Sequence, residues 1–243
     1  MHSNNKILAI AFLVIISTFQ LAAEKKIKLV ILHTNDTHSQ VEPTEKSNLK
    51  TADMGGYARR MGVIEKIRSE EKNVLLFDAG DFSHGTPYFN FFNGRVEIDA
   101  LNRMQYDAGT LGNHEFDNGI DTLAVILKNA RFHLISTNYE VDNTPIKNQI
   151  QPYLILKKFG LKIGIMALNV DPKSLIIESN YRGLVYRDPI EKAQELSAFL
   201  KNKKKCDLVI CLSHLGSDST AIDVNDFTIA HQTKHIDIIL GGH

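Results

Sequence analysis

Tyr106-Asp107-Ala108-Gly109-Thr110-Leu111-Gly112-Asn113-His114-Glu115-Phe116-Asp117 lies near the middle of the 243-residue chain. Tyr106 to Thr110 is a short, largely apolar run that suits a buried strand. Gly112 ends it, and an amide, an imidazole and two carboxylates follow within five positions. His114-Glu115 also begins the His-Glu-x-x-His pattern, in which two imidazoles four apart on a helix grip one zinc ion. Position 118 is Asn, so that reading fails. What is left is a ligand-type residue, Asn113, beside an acid/base-type residue, His114, with Asp117 close enough to orient its ring. Any further ligands have to come from elsewhere in the chain.

Working outward, strand and helix patterns alternate on both sides. Lys28 to Thr34 reads as a strand. Tyr57 to Lys72 carries Tyr57, Met61, Ile64 and Ile67 at helical spacing. A strand over Val74 to Phe77 and a helix over Val96 to Met104 lead into the central stretch. A helix over Asp121 to Ala130 and a strand over Phe132 to Ser136 follow it. Strands separated by helices imply crossover units and a largely parallel sheet. Tyr153 to Leu156 and Leu161 to Leu168, joined through Lys157-Lys158-Phe159-Gly160, read instead as a hairpin, so the sheets are mixed. A helix over Pro189 to Lys204, a strand over Leu208 to Ser213, a helix over Asp226 to Thr233 and a strand over Ile236 to Leu240 complete the series. Gln40 to Ala52, Asp81 to Gly94 and Val141 to Gln151 read as loops, and there is no repeat or low-complexity tract.

Residues 1–23 read as an export signal. Lys6 precedes the apolar run Ile7 to Phe19, which is too short to span a bilayer, and Leu21-Ala22-Ala23 offers a small residue for cleavage. The alternative is a retained anchor. No Cys follows the run to take a lipid, and export would make the protein periplasmic or secreted. The 28 basic and 28 acidic residues cancel, which leaves no basic field for nucleic acid or a lipid surface. Once the signal is removed, about 220 residues suffice for one sizeable core. Cys206 and Cys211 lie five apart in an expected strand, so they should face opposite ways as two small core residues, with no disulfide between them.

In an open α/β sheet, ligands bind beyond the carboxyl ends of the strands. Five strand ends carry polar clusters there: Asn35-Asp36-Thr37-His38, Asp78-Ala79-Gly80-Asp81, Gly112-Asn113-His114, His214-Leu215-Gly216 and Gly241-Gly242-His243. One such cluster is weak evidence, since an Asp-Gly pair usually marks a turn. Five in the same geometry point to a site. Carboxylate, imidazole and amide oxygen together suit divalent ions of the zinc, manganese or iron type. One carboxylate can bridge two ions about 3.5 to 4 Å apart, and such a pair clamps the oxygens of a phosphate. Asp81, in the middle of the set, is the natural bridge.

These motifs, together with His33-Thr34-Asn35, Gly80-Asp81 and Ser213-His214-Leu215-Gly216, resemble in order and spacing the calcineurin-like metallophosphoesterases. Within them the chain is most similar to the N-terminal catalytic domain of the 5'-nucleotidase and UDP-sugar hydrolase family. The resemblance implies a four-layer α/β/β/α sandwich, two mixed sheets with helices outside, over residues 24–243. It places Asp36, His38 and Asp81 on one metal and Asp81, Asn113, His214 and His243 on the other. His114, held by Asp117, becomes the group that stabilises phosphoryl oxygens or protonates the leaving oxygen, while a metal-bound hydroxide attacks phosphorus. Asp78 and Glu115 are expected to be structural, and the parts played by His33 and His84 stay open.

The family motif continues past Gly-Gly-His to one more ligand, so the domain is expected to be C-terminally incomplete. The family's second domain, which supplies base-stacking aromatics and phosphate-binding arginines, is expected as a separate partner if it acts at all. The implied substrate is a small phosphate ester such as a nucleoside 5'-monophosphate. Alternatives are a 2',3'-cyclic nucleotide or a UDP-sugar and, from another class, a non-catalytic partner protein with a disabled site.

Overall fold

In the computed structural model, residues 26–47, 50–218, 220 and 223–243 are described. The expected export signal lies outside them. Five strands form a first sheet, in the order β1 (Val30–Thr34), β2 (Val74–Asp78), β3 (Ala108–Gly109), β4 (His133–Ile135) and β6 (Ile150–Gln151), each pair parallel. A second sheet has the order β11 (Ile238–Gly241), β10 (Leu208–His214), β8 (Leu161–Asn169) and β7 (Leu154–Lys158). Only its β7–β8 pairing is antiparallel. That pair is the expected hairpin, and its turn places Phe159 at φ 58° and Gly160 at φ 79°, the two left-handed residues that match the twist of the flanking strands. A small antiparallel pair joins β5 (Tyr139–Glu140) to β9 (Val185–Tyr186).

Strand alternation explains the layering. Successive side chains point to opposite faces, so Leu75 and Phe77 of β2 pack inward with Ile163, Ile165 and Ala167 of β8 and Ile210 and Leu212 of β10. That cluster is the seam between the sheets. Leu76 faces outward into a second core, formed with helices α1 (Tyr57–Glu70), α3 (Arg95–Arg103) and α4 (Ile120–Leu127). On the far side, Met166, Leu168, Val209 and Cys211 pack against α5 (Pro189–Ala198) and α6 (Asp226–Gln232). Helix, sheet, sheet and helix follow one another as the expected four layers. Phe77 is fully buried at the seam, so Phe77→Ala should cost about 3–5 kcal/mol in a urea unfolding measurement.

Several elements differ from their sequence reading. The span 81–94 is not all loop, because Pro87 at a helix first turn opens a short helix, α2 (Pro87–Phe92), that closes at left-handed Asn93. The helix expected to run to Lys204 changes at Phe199 into a π-turn over Phe199–Lys203. Cys206 precedes β10 instead of lying in it, so the alternation argument does not reach it. Both cysteines are free and buried in the same outer core.

Candidate metal centre

The carboxyl ends of both sheets converge on one place. β1 delivers Asp36 and His38, β2 delivers Asp81, the turn after β3 delivers Asn113 and His114, and β10 and β11 deliver His214 and His243. Asp36 and His38 do not meet by strand alternation. Their segment turns out of β1 with φ 48° at Asp36 and 40° at His38, and Asp81 (56°) and His243 (87°) are left-handed too. Such conformations cost about 1–3 kcal/mol each and persist where the surroundings impose them. Here the loop ladder Asp36 N–H to Gly80 O, His38 N–H to Asp81 O and Ser39 N–H to Phe82 O, each at 3.0 Å, imposes them. Gly80 has φ 96°, and a Cβ there would lie 2.7 Å from His214 Nδ1, so the backbone crosses the site where no side chain fits.

Asp81 is the hub. It is 2% exposed. Its Oδ2 lies 3.1 Å from His214 Nε2 and 3.4 Å from His38 Nε2, while Oδ1 accepts the His114 backbone N–H at 2.9 Å. Burial alone would raise its pKa, but the imidazoles of His214 and His38 and the His114 amide outweigh burial and hold the carboxyl well below the ordinary range. His214 is fully buried, and its Nδ1–H donates to Ala79 O at 2.7 Å. This bond makes Nδ1 a donor and aims Nε2 at Asp81. Burial opposes charge on His214, yet Asp81 raises its pKa to about 9, so a cation arriving at Nε2 displaces a proton. Asp36 Oδ2 accepts from Asn35 Nδ2 at 2.7 Å and from the His243 N–H at 2.9 Å, tying the last strand of one sheet to the first of the other. For His243, burial first and the charge of His214 second depress the pKa, favouring the neutral imidazole that binds metals.

The residues fit a divalent ion pair on their own evidence. Asn113 Oδ1 is buried without a hydrogen-bond partner, a cost of about 1–3 kcal/mol unless something else satisfies it. Asp81, His214 and His243 bring three ligand atoms within 4.8 Å of one another, and His38, Asp81 and His114 do the same. Asp81 belongs to both groups. A Cβ at Gly112 would overlap Asp81 Oδ1 and His214 Nε2. Gly112→Ala should therefore displace the hub, lowering bound metal by elemental analysis and turnover by about a hundredfold.

The acid/base pair lies beside this cluster. His114–Phe116 is a turn of 3-10 helix, in which positions i and i+3 stack. His114 Nδ1 donates to Asp117 Oδ2 at 2.9 Å. Glu115 points the other way, fully enclosed, and accepts the backbone N–H groups of Asp81, Ser83 and Gly112. It clamps the loop after β2 to the turn after β3. Asp78 likewise accepts the Gly80 N–H at 3.0 Å and the Thr34 hydroxyl at 2.6 Å. Both therefore have structural partners, in line with expectation. His33 is an exposed residue on β1 and takes no part in either ligand group. His84 belongs with the site: its Nδ1 lies 2.6 Å from Asp117 Oδ2 and its ring stacks on that of His114. Sequence reasoning left it open because a His six residues past a strand end is common in any loop.

Burial pushes the Asp78 carboxyl up to about 7 against the bonds from Thr34 and Gly80. The folded protein thus holds a proton that the unfolded chain releases near pH 4. Stability from this group is complete below that pH and is lost as pH rises from there through 7. Asp78→Asn, which cannot titrate, should flatten the fall in melting temperature between about pH 4 and 7 in chelator-treated protein. Equal slopes in the two proteins would exclude this account.

The calcineurin-like phosphoesterase family model matches residues 29–243. The snake venom 5'-nucleotidase of Naja atra is 36% identical over 227 residues, covering 89% of this chain and 41% of that protein. The human 5'-nucleotidase is 35% identical over 225 residues, covering 89% and 38%. Among solved structures, the 5'-nucleotidase precursor from Thermus thermophilus superposes with a TM-score of 0.79 at 35% identity, covering 88% of this chain and 41% of that one. The chain spans about two fifths of the length of these relatives.

Proposed function

We propose that this chain, which belongs to the calcineurin-like phosphoesterase family, is the catalytic part of an exported two-metal phosphomonoesterase that releases phosphate from nucleoside 5'-monophosphates. The observation that carries the proposal is the position of Asp81, one carboxylate oxygen between the imidazoles of His38 and His214. Asp36, His38 and Asp81 would hold one ion, and Asp81, Asn113, His214 and His243 the other. Zinc or manganese suits this donor set. When bound, such a pair supplies Lewis-acid polarisation of the phosphate ester and acidifies a water toward neutrality.

The rest of the work falls to the chain. Asp117 accepts the Nδ1–H of His114 and so leaves Nε2 as the working nitrogen. That nitrogen stabilises charge on the phosphoryl oxygens or passes a proton to the leaving ester oxygen. A disabled site is disfavoured because all eight of these residues are present and Asp81 lies within reach of both His38 and His214. The names of the relatives, snake venom and other 5'-nucleotidases, support a nucleotide substrate and export. No helix among the described residues is long and apolar enough to cross a membrane. A separate substrate-binding domain would complete substrate choice.

The test is phosphate release from AMP by chelator-stripped protein with manganese or zinc restored. Release that depends on the added ion, and is absent without it, is the expected result. Faster turnover of UDP-glucose or 2',3'-cyclic AMP than of AMP would shift the substrate to a phosphodiester. No release from any of the three would overturn the proposal for this chain acting alone.

A further inference from the structure

We infer that His84 is a positioning residue for the acid/base pair, holding Asp117 and the ring of His114 in register from the loop after β2. The inference rests on the reading of His114 and Asp117 given above. Asp117 Oδ2 lies 2.9 Å from His114 Nδ1 and 2.6 Å from His84 Nδ1. An ionised carboxylate oxygen only accepts. Both rings therefore carry their hydrogen on Nδ1 and share one acceptor. The two rings are stacked, with centroids 3.9 Å apart and planes inclined by 18°. His38 stands edge-on to both, 5.4 Å from the His114 ring and 6.0 Å from the His84 ring. The His114 ring can turn about its side-chain bonds while keeping one hydrogen bond. A second donor on the same oxygen and a parallel ring face remove that freedom.

The backbone supplies an independent observation. His84 has φ 101°, a region that a side chain with a Cβ adopts only under constraint. Glycine would take it without strain. Gly85 follows at φ 88°, so the loop already contains one left-handed glycine, and a second at position 84 would be the relaxed choice. A strained histidine there makes sense if its ring is what the position needs.

Five variants test this, measured as AMP turnover with metal restored, unfolding temperature and 15N imidazole spectra of His114. His84→Ala should lower kcat by about ten- to hundredfold, the usual cost of losing a group that orients a working side chain, with KM changed by less than about threefold. His84→Asn keeps an N–H near the position of Nδ1 and should recover most of the loss. His84→Gly should be as slow as His84→Ala while unfolding at the same temperature as the unaltered protein or higher. In the spectra, the His114 ring signals should broaden in His84→Ala as the ring gains freedom to turn, while the Nδ1–H tautomer held by Asp117 persists. Adding His84→Ala to Asp117→Ala should cost nothing further, because the two act through one contact.

Wild-type turnover in His84→Ala, or a full additional loss in the double variant, would overturn the inference while leaving the acid/base pair standing. If Asp117→Ala itself turned over normally, the reading of the pair would fall and take this inference with it.

Discussion

Asp81→Asn should empty both ion positions and lower phosphate release by about three orders of magnitude or more. The carboxylate is buried between two imidazoles, with Oδ2 3.1 Å from His214 Nε2 and 3.4 Å from His38 Nε2. The amide offers one acceptor where there were two and carries no charge. If its NH2 takes the place of Oδ2, it presents hydrogens where the two ions would need a shared electron-pair donor. A bound ion pair contributes several kcal/mol of charge stabilisation in the transition state, and about 1.4 kcal/mol corresponds to a factor of ten. The fold should survive, because the remaining amide oxygen can still accept the His114 N–H that Oδ1 accepts at 2.9 Å. Elemental analysis after dialysis reads the occupancy, and circular dichroism checks the fold. Retention of both ions in a folded Asp81→Asn protein would sink the bridging assignment.

The parts of this molecule that could be read from the sequence are those in which one residue type carries its meaning locally. Apolar runs ending in Asn-Asp, Gly-Asp, Gly-Asn-His, Ser-His and Gly-Gly-His announce strand ends loaded with ligand-type residues. The structure brings Asp36, His38, Asp81, Asn113, His214 and His243 to one place for that reason. The hairpin of β7 and β8 was equally plain, because Phe159-Gly160 is a two-residue turn between alternating strands. What stayed hidden depends on partners far along the chain. β5 and β9 are two residues each and pair between distant parts of the chain, Tyr139 with Tyr186, leaving no periodicity to detect. β3 also shrinks to two residues, because it borrows its order from β2 and β4 on either side. His84 gains its meaning only from the ring of His114, thirty positions later, and the clamp at Glu115 only from three amides on two loops. The inner and outer faces of each strand follow from alternation. Which sheet packs on which does not, and only the shared seam of Phe77, Ile165 and Leu212 reveals it.

His114→Ala should do the opposite of Asp81→Asn: leave the ions in place and slow the chemistry by about two to four orders of magnitude, the usual contribution of a positioned acid or base. Two contacts make the separation possible. The backbone N–H of His114, not its ring, bonds Asp81 Oδ1, so the alanine variant keeps the bond that holds the hub. Asn113, whose partnerless Oδ1 is the proposed ligand atom on this turn, is held by the main chain of the 3-10 turn that follows it. The ring, by contrast, bonds Asp117 and packs against the rings of His84 and His38. Asp117→Ala should reproduce a smaller part of the loss, because the imidazole stays but its tautomer is no longer fixed. Metal content and single-turnover phosphate release, measured on the same preparation, separate the two effects. Emptied ion positions in His114→Ala would move the imidazole from the acid/base role into the ligand set, and the group formed by His38, Asp81 and His114 would then be the first metal site.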